Sequence, residues 1–460
     1  MSQRSQYPSS EAEPRLGPSE LPSGEKSKRL GRKVTGIRLE RKKDASLLNW
    51  NLKRPYPPEK IRMLVPAGTE PCVQVEENVQ VGQEIAKPRS AERVSLHAGM
   101  TGIVEKIAAF PGTTGAEKQM IEIRRYGEPK ALPLVETRKG WGEIPSEELS
   151  NIFQRSGLVT TDPAMEPVHV KLGRHAGART IIINGCEPEP YITSEQTLIT
   201  SHPVEILKGA GLLKKAMGAE KIVFALESCN IEMIELIKSK IYFLKWEYAE
   251  VRTVLALYPQ GLESTLLQAW FPGKEDEAVV FPASTAFAVY EAVVLQKPFY
   301  ERVVTVGGEC VVEPRSLWLP IGISFQDAIH ACKGVMREPQ RILMGGPMAG
   351  MAQPTMEVPV TVGTNAILAL PKESASEGAE MWEVAPCIRC NLCVDHCPVL
   401  LSPAMITMAA EQKEFSIAEA WHAEACIECG TCGYVCPTKR PMLKLIRSVC
   451  PPSAPVVPHD

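Results

Sequence analysis

Two stretches carry residues whose type and spacing point to chemistry. Residues 387–398 read CIRCNLCVDHCP, and residues 426–437 read CIECGTCGYVCP. Both follow the pattern C-x-x-C-x-x-C-x-x-x-C-P. Thiolates are soft ligands that bridge well to iron. A two-residue gap wraps the backbone round one corner of a cubane and presents three sulfurs. The fourth cysteine of such a run ligates the other cluster. The spacing therefore assigns Cys387, Cys390, Cys393 and Cys436 to one [4Fe–4S] cluster. It assigns Cys426, Cys429, Cys432 and Cys397 to a second. Zinc is the competing occupant, since C-x-x-C pairs also complete tetrahedral sites. A third cysteine at the same short spacing, twice over, favours clusters. No nucleophile–base set accompanies the cysteines, so their chemistry is one-electron transfer.

The chain around these motifs has 460 residues, room for about three domains at roughly 150 residues each. Its hydrophobic content of 44% and charged content of 23% are those of an ordinary globular chain. A net charge of -3 singles out no partner and argues against a dedicated nucleic-acid binder. No apolar run reaches the ~18 residues a membrane span needs. The N-terminus, MSQRSQYPSSEAEPRLG, lacks the apolar segment of a secretory signal. The expectation is a cytoplasmic protein that meets a membrane only through a partner. Six of the fourteen cysteines (Cys72, Cys186, Cys229, Cys310, Cys332, Cys450) lie outside the motifs and read as buried or incidental thiols.

The elements that must position the motifs follow from texture. Residues 1–58 are rich in Ser, Pro, Glu, Lys and Arg without apolar period, which predicts a mobile basic tail. Its basic stretch SKRLGRKVTGIRLERKK reads as a solvated linker or as an attachment to an acidic partner or anionic surface. Residues 59–135 show short Val/Ile alternation broken by Gly and Pro, the mark of a small β domain of two hairpin halves. Residues 146–300 alternate buried strands (ARTIIINGCEP, KIVFALES, VRTVLALYPQG) with helical stretches. That pattern predicts a parallel sheet covered by helices, with ligands at the strand carboxyl ends. Residues 301–350 return to β texture with one short helix. Residues 380–445 are helical and carry the cysteines. The fold class expected is multidomain α/β with small β domains.

Several stretches together resemble the RnfC family, which belongs to the membrane assembly that couples electron transfer to ion translocation. They are LHAGMTGIV (96–104), IIINGCEPEPYITSE (181–195), LYPQGLE (257–263), PASTAFAVYEAVV (282–294), ERVVTVGGECVVEP (301–314), RILMGGPMAGMA (341–352) and both cysteine runs. The resemblance implies a barrel-sandwich domain, then a Rossmann-like domain of the NAD/FMN type. A soluble-ligand-binding β-grasp (SLBB) domain and a dicluster ferredoxin domain follow. It also implies an oxidoreductase subunit, peripheral on the cytoplasmic side of the inner membrane. Electrons would pass between NAD(H) or ferredoxin and membrane partner subunits, through FMN and two [4Fe–4S] clusters. Lys171, Asn184, Glu187 and Glu189 are the candidate cofactor-binding residues; each also reads as an ordinary loop or turn residue.

One stretch departs from the family pattern. Members resemble G-I-V-G-x-G-G-A-x-F-P-T-x-V-K-L, where this chain has GLVTTDPAMEPVHVKL (157–172). Thr160, Asp162 and Pro163 replace glycines, which elsewhere let backbone amides approach a phosphate. Pro163 removes a donor, and Asp162 would set a negative charge against an FMN phosphate. The departure weighs against tight FMN binding. It leaves open an electron-relay adapter with a decayed nucleotide site, and a cobalamin reductase of bacterial microcompartments, which shares this build.

Overall fold

A computed structural model describes residues 36–43, 52–111, 117–126, 137–371 and 386–449. Most of the expected tail, residues 1–35 and 44–51, lies outside the described residues, as does Cys450. The described residues form one compact unit.

The chain first builds two small antiparallel sheets. Their strands are β1 (Lys60–Leu64), β2 (Thr69–Pro71), β3 (Asn78–Val79), β4 (Glu84–Pro88), β5 (Leu96–His97), β6 (Gly102–Pro111) and β7 (Glu117–Arg125). The sheet orders are β1-β7-β6-β3 and β2-β4-β5. Alternation along β1 turns Ile61 and Met63 inward, where they meet Ile85, Val104, Ile121 and Ile123.

Helices α1 (Ser146–Arg155) and α2 (Val168–Arg174) lead into a parallel sheet, β10-β9-β8-β11. Its elements run β8 (Thr180–Asn184), α3 (Ser194–Ser201), α4 (Pro203–Met217), β9 (Lys221–Glu227), α5 (Ile231–Leu244), β10 (Ala249–Val254), α6 (Glu263–Trp270), β11 (Ala278–Pro282) and α7 (Ala283–Val294). The central strands are apolar without alternation because helices cover both faces. Helix α4 starts at a proline and stops at Gly218, whose φ of 73° is the left-handed conformation glycine adopts at least cost. At Gly209 it crosses α7 so closely that a Cβ would overlap the Ala286 carbonyl.

The next unit is a five-stranded mixed sheet ordered β13-β12-β16-β14-β15. Its parts are β12 (Glu301–Gly307), β13 (Arg315–Pro320), α8 (Phe325–His330), β14 (Arg341–Met344), β15 (Met351–Gln353) and β16 (Ala366–Leu370). The sheet includes β16, which lies after residue 350. β16 pairs in its middle, parallel to β12 and antiparallel to β14. An apolar run this short gave no sign of its partners.

The C-terminal unit comprises α9 (Leu392–Asp395), α10 (Pro403–Glu411), α11 (Phe415–Ala420), α12 (Thr431–Tyr434) and α13 (Met442–Val449). It repeats itself. Helices α9 and α10 correspond to α12 and α13, and left-handed residues recur at matching places, Arg389 with Glu428, Asn391 with Gly430, Leu400 with Lys439. Its small core joins Ile406, Ala418, Ala423, Met442 and Ile446 to the cysteine side chains.

One expectation is corrected. Residues 36–43, placed in the mobile tail, lie across the parallel sheet's strand ends. Ile37 and Tyr258 exchange backbone hydrogen bonds of 2.8 Å each way. Arg41 pairs with Glu227 at 3.0 Å, and Lys43 Nζ donates to the Glu187 carbonyl at 2.9 Å. Arg54, also within the expected tail, pairs with Glu301 at 2.7 Å. Composition predicted mobility because these basic side chains read as solvated; buried carboxylates and a backbone carbonyl supplied by distant segments hold them instead.

Candidate electron-transfer site

The two cysteine runs fold so that each lends its last sulfur to the other. Cys387, Cys390, Cys393 and Cys436 line one cavity of about 410 Å³, walled by Met405, Met408 and Met442. Cys397 crosses the other way. Burial pushes the Cys432 thiol well above its ordinary value, and the neighbouring Cys429, Cys426, Cys397 and Cys393 push it further. Burial likewise holds the Cys426 thiol up to about 11, with Cys429 and Cys397 adding to it. Sulfurs crowded in this way repel one another as thiolates, and a bound metal removes that penalty by fixing them deprotonated. The first set encloses a cavity instead of converging on a point. That openness fits a multi-atom cluster better than one zinc ion with bonds of about 2.3 Å. The donor set and its spacing fit [4Fe–4S] groups.

The loops supply donors to these sulfurs. The amides of Arg389 and Glu428 lie 3.4 Å from Cys387 Sγ and Cys426 Sγ respectively. The Leu401 amide lies 3.3 Å from Cys397 Sγ. The left-handed turns at Arg389 and Glu428 bend each loop back round its first cysteine. The hydroxyls of Thr431 and Thr438 lie 3.3 Å from Cys429 Sγ and Cys436 Sγ. Such contacts favour a reduced, more negative cluster.

The two sets face different surroundings. Cys390 is exposed, as is the neighbouring Ile388. The second set is docked on the rest of the chain. Tyr258, fully buried, donates its hydroxyl to the Cys429 carbonyl at 2.6 Å. A Cβ on Gly430 would overlap the Met348 carbonyl. Arg447 bonds Glu428 at 2.6 Å and the Ala349 carbonyl at 2.9 Å.

The candidate cofactor residues gather at the carboxyl ends of β8 and β11, and each has a protein partner there. Lys171, buried, bonds both carboxylate oxygens of Glu263 at 2.9 Å. Asn184 spans the gap by donating to the Gly261 carbonyl and accepting from the Cys186 amide. Glu187 accepts from the Glu195 and Gln196 amides at 2.7 and 2.9 Å, satisfying the orphan donors of the α3 N-terminus. Glu189 accepts from the Met348 amide at 2.8 Å and the Ala349 amide at 3.3 Å. Burial raises its carboxyl, and those amides and Arg447 oppose the rise. Glu189 therefore ties NGCEPEPY to GGPMAG, and a Cβ at Gly346 would strike it.

The loop that departs from the family pattern is closed on itself. Asp162 accepts from Thr160 Oγ1 at 2.9 Å and from the Ala164 amide at 3.0 Å. Its carboxylate takes up a loop amide and sets a negative charge where the family pattern has glycine. The Thr161 hydroxyl bridges Ser284 and Thr285, and Arg302, buried, donates to the Thr161 carbonyl at 2.9 Å. Glu166, in place of the aromatic, pairs with Arg174 at 2.7 Å. In this arrangement the residues do not fit FMN.

Sequence reasoning did not single out Tyr258, Met348, Arg302 or Glu195. Tyr258 and Met348 sat within motifs already noted, YPQG and GGPMAG. Nothing along the chain marks them as contacts of the cysteine loops, which lie far off in sequence.

Family models match four stretches. Residues 34–128 match the RnfC barrel sandwich hybrid domain, and residues 153–292 match the Nuo51 FMN-binding domain. Residues 303–352 match the SLBB domain, and residues 382–437 match the 4Fe-4S dicluster domain. Curated relatives are single components of larger complexes. The one from the proton-translocating ferredoxin:NAD(+) oxidoreductase complex of Clostridium ljungdahlii is 31% identical, covering 76% of this chain and 78% of its own. The one from the ion-translocating oxidoreductase complex of Rhodobacter capsulatus is 35% identical over 73% of this chain, which spans 66% of that relative. The one from the Na(+)-translocating ferredoxin:NAD(+) oxidoreductase complex of Acetobacterium woodii is 30% identical, covering 73% and 77% of the two chains.

Proposed function

The chain belongs to the RnfC family, and from that premise we propose that it is the electron-transfer subunit of an Rnf-type complex. In this reading it passes single electrons between the NAD(H) or ferredoxin side and membrane subunits that translocate ions. Cys387, Cys390, Cys393 and Cys436 hold one [4Fe–4S] cluster, and Cys426, Cys429, Cys432 and Cys397 hold the other. Each cluster, when bound, takes up and releases one electron at a time. The chain's residues hold the sulfurs, aim amides and hydroxyls at them, and line the first site with methionines. Among the described residues no helix is long and apolar enough to cross a membrane. Attachment then falls to partner subunits, on the cytoplasmic face.

The observation that supports the reading is that Cys436, the last cysteine of the second run, lines one cavity with Cys387, Cys390 and Cys393 of the first. It is tested by iron and acid-labile sulfide assays on protein purified without oxygen, with about eight of each expected per chain. Cys390→Ser and Cys436→Ser should each cost one cluster, and combining them should cost no more than either alone. Combining Cys436→Ser with Cys426→Ser should cost both. If Cys436 and Cys426 instead behave as one set, the cross-run assignment fails.

The closed loop at 160–166 favours a second reading, in which a protein partner delivers electrons and no flavin intervenes. Acid precipitation and an assay for NADH-dependent bleaching of cluster absorbance separate the two. Near-stoichiometric FMN in the supernatant excludes the relay. No flavin uptake and no bleaching, even with FMN supplied, excludes hydride chemistry on this chain alone.

A further inference from the structure

We propose that Tyr258 is a positioning residue that raises the reduction potential of the second cysteine set, through its hydroxyl's hydrogen bond to the Cys429 carbonyl. The inference rests on the reading that Cys397, Cys426, Cys429 and Cys432 hold a cluster. Three observations lead to it. The bond is short, 2.6 Å, and both partners are buried. Met348, Leu262, Ile37 and Ile427 pack round it. In so dry a place a dipole is screened little and acts at close to full strength. Tyr258 also comes from the loop after β10, at the carboxyl edge of the parallel sheet, whereas Cys429 is a ligand. The bond therefore joins the sheet's carboxyl edge to a cluster ligand directly.

The sign follows from charge. Reduction adds one negative charge to the cluster. A phenol that donates to Cys429 O draws electron density toward that oxygen and out of the peptide beyond it. It also sets the positive end of an O–H dipole beside the ligand. Both effects stabilise the more negative state, as hydrogen bonding near cluster sulfurs does generally. Cys390, the counterpart of Cys429 in the first run, is exposed, so water screens any dipole there.

The two threonines identify which potential belongs to which set. Thr431 lies against Cys429 Sγ and Thr438 against Cys436 Sγ. With the sulfurs as thiolates, each hydroxyl must donate. Thr431→Val should therefore move the second cluster's midpoint, and Thr438→Val the first's.

The experiment is a redox titration followed by electron paramagnetic resonance on the full chain, with iron content measured on every sample. Tyr258→Phe should lower the midpoint that Thr431→Val moves and leave the one that Thr438→Val moves. A ring-fluorinated tyrosine at 258 keeps the shape and donates more strongly, so it should shift the same midpoint upward. This second arm keeps the test decisive if the phenylalanine variant loses its cluster. Full iron with neither midpoint moved, with both moved equally, or with only the Thr438-linked one moved overturns the role of Tyr258 alone. Iron missing from the wild-type chain overturns the cluster reading and this inference with it.

Discussion

Glu195 shows at the scale of one residue what burial does to chemistry at the strand ends. Its carboxylate accepts from the Ser284 amide at 2.8 Å and from the Ser284 hydroxyl. Burial holds its carboxyl up to about 7; the Ser284 hydroxyl opposes this, Glu187 adds to it and Arg302 opposes it. A carboxyl whose folded pKa lies above its unfolded value stabilises the fold fully below the unfolded value. It loses that contribution as pH rises through the folded one. The chain should therefore lose stability between the ordinary carboxylate range and about pH 7, and Glu195→Gln should flatten that stretch. Melting temperatures measured across the interval check it, and a wild-type profile no steeper than the variant's would refute it. Asn184 ends β8, Glu187 and Glu189 follow it, and Lys171 reaches from α2. Their engagement with Glu263, Gly261, the α3 amides and the GGPMAG loop was illegible, because those partners sit tens to hundreds of residues away or depend on where a turn closes.

At the scale of elements, the loop 160–166 is the informative one. Its substitutions pointed to a lost phosphate cradle, and its fold supplies the mechanism: Asp162 serves as an internal anion on the Ala164 amide. Asp162→Gly combined with Pro163→Gly frees that amide, restores a donor and removes a charge worth about 4 kcal/mol against a phosphate at 4 Å. FMN affinity should rise at least tenfold, read from quenching of flavin fluorescence on titration. Unchanged affinity would place the block elsewhere, with Thr161 and Arg302 as the next residues to change. The parallel sheet and its helices were legible because uninterrupted strands such as TIIIN and KIVFALE bury both faces. The pairing of β16 was not, since a short apolar run carries no mark of its neighbours.

At the scale of the molecule, the question is how the cysteine unit meets the rest. Gly430 has a φ of 70° and lies against the Met348 carbonyl. Gly430→Ala should cost about 1–3 kcal/mol from the left-handed backbone alone. The clash should also spring the unit from the GGPMAG loop. Hydrogen exchange should then quicken in residues 341–351 and 426–434 while the parallel sheet stays protected; unchanged exchange in both segments would mean that Gly430 does not secure the dock. The sequence by itself marked the eight candidate ligands, because C-x-x-C spacing is local geometry that any fold must respect. It also determined the parallel sheet, because apolar runs between helical stretches bury their faces only in a covered sheet. Tertiary structure alone decided that Tyr258 meets Cys429, that residues 36–43 lie over the strand ends, and that Asp162 closes its loop on the Ala164 amide. Each joins segments whose approach depends on the packing of everything between them, and no residue type or spacing encodes that approach.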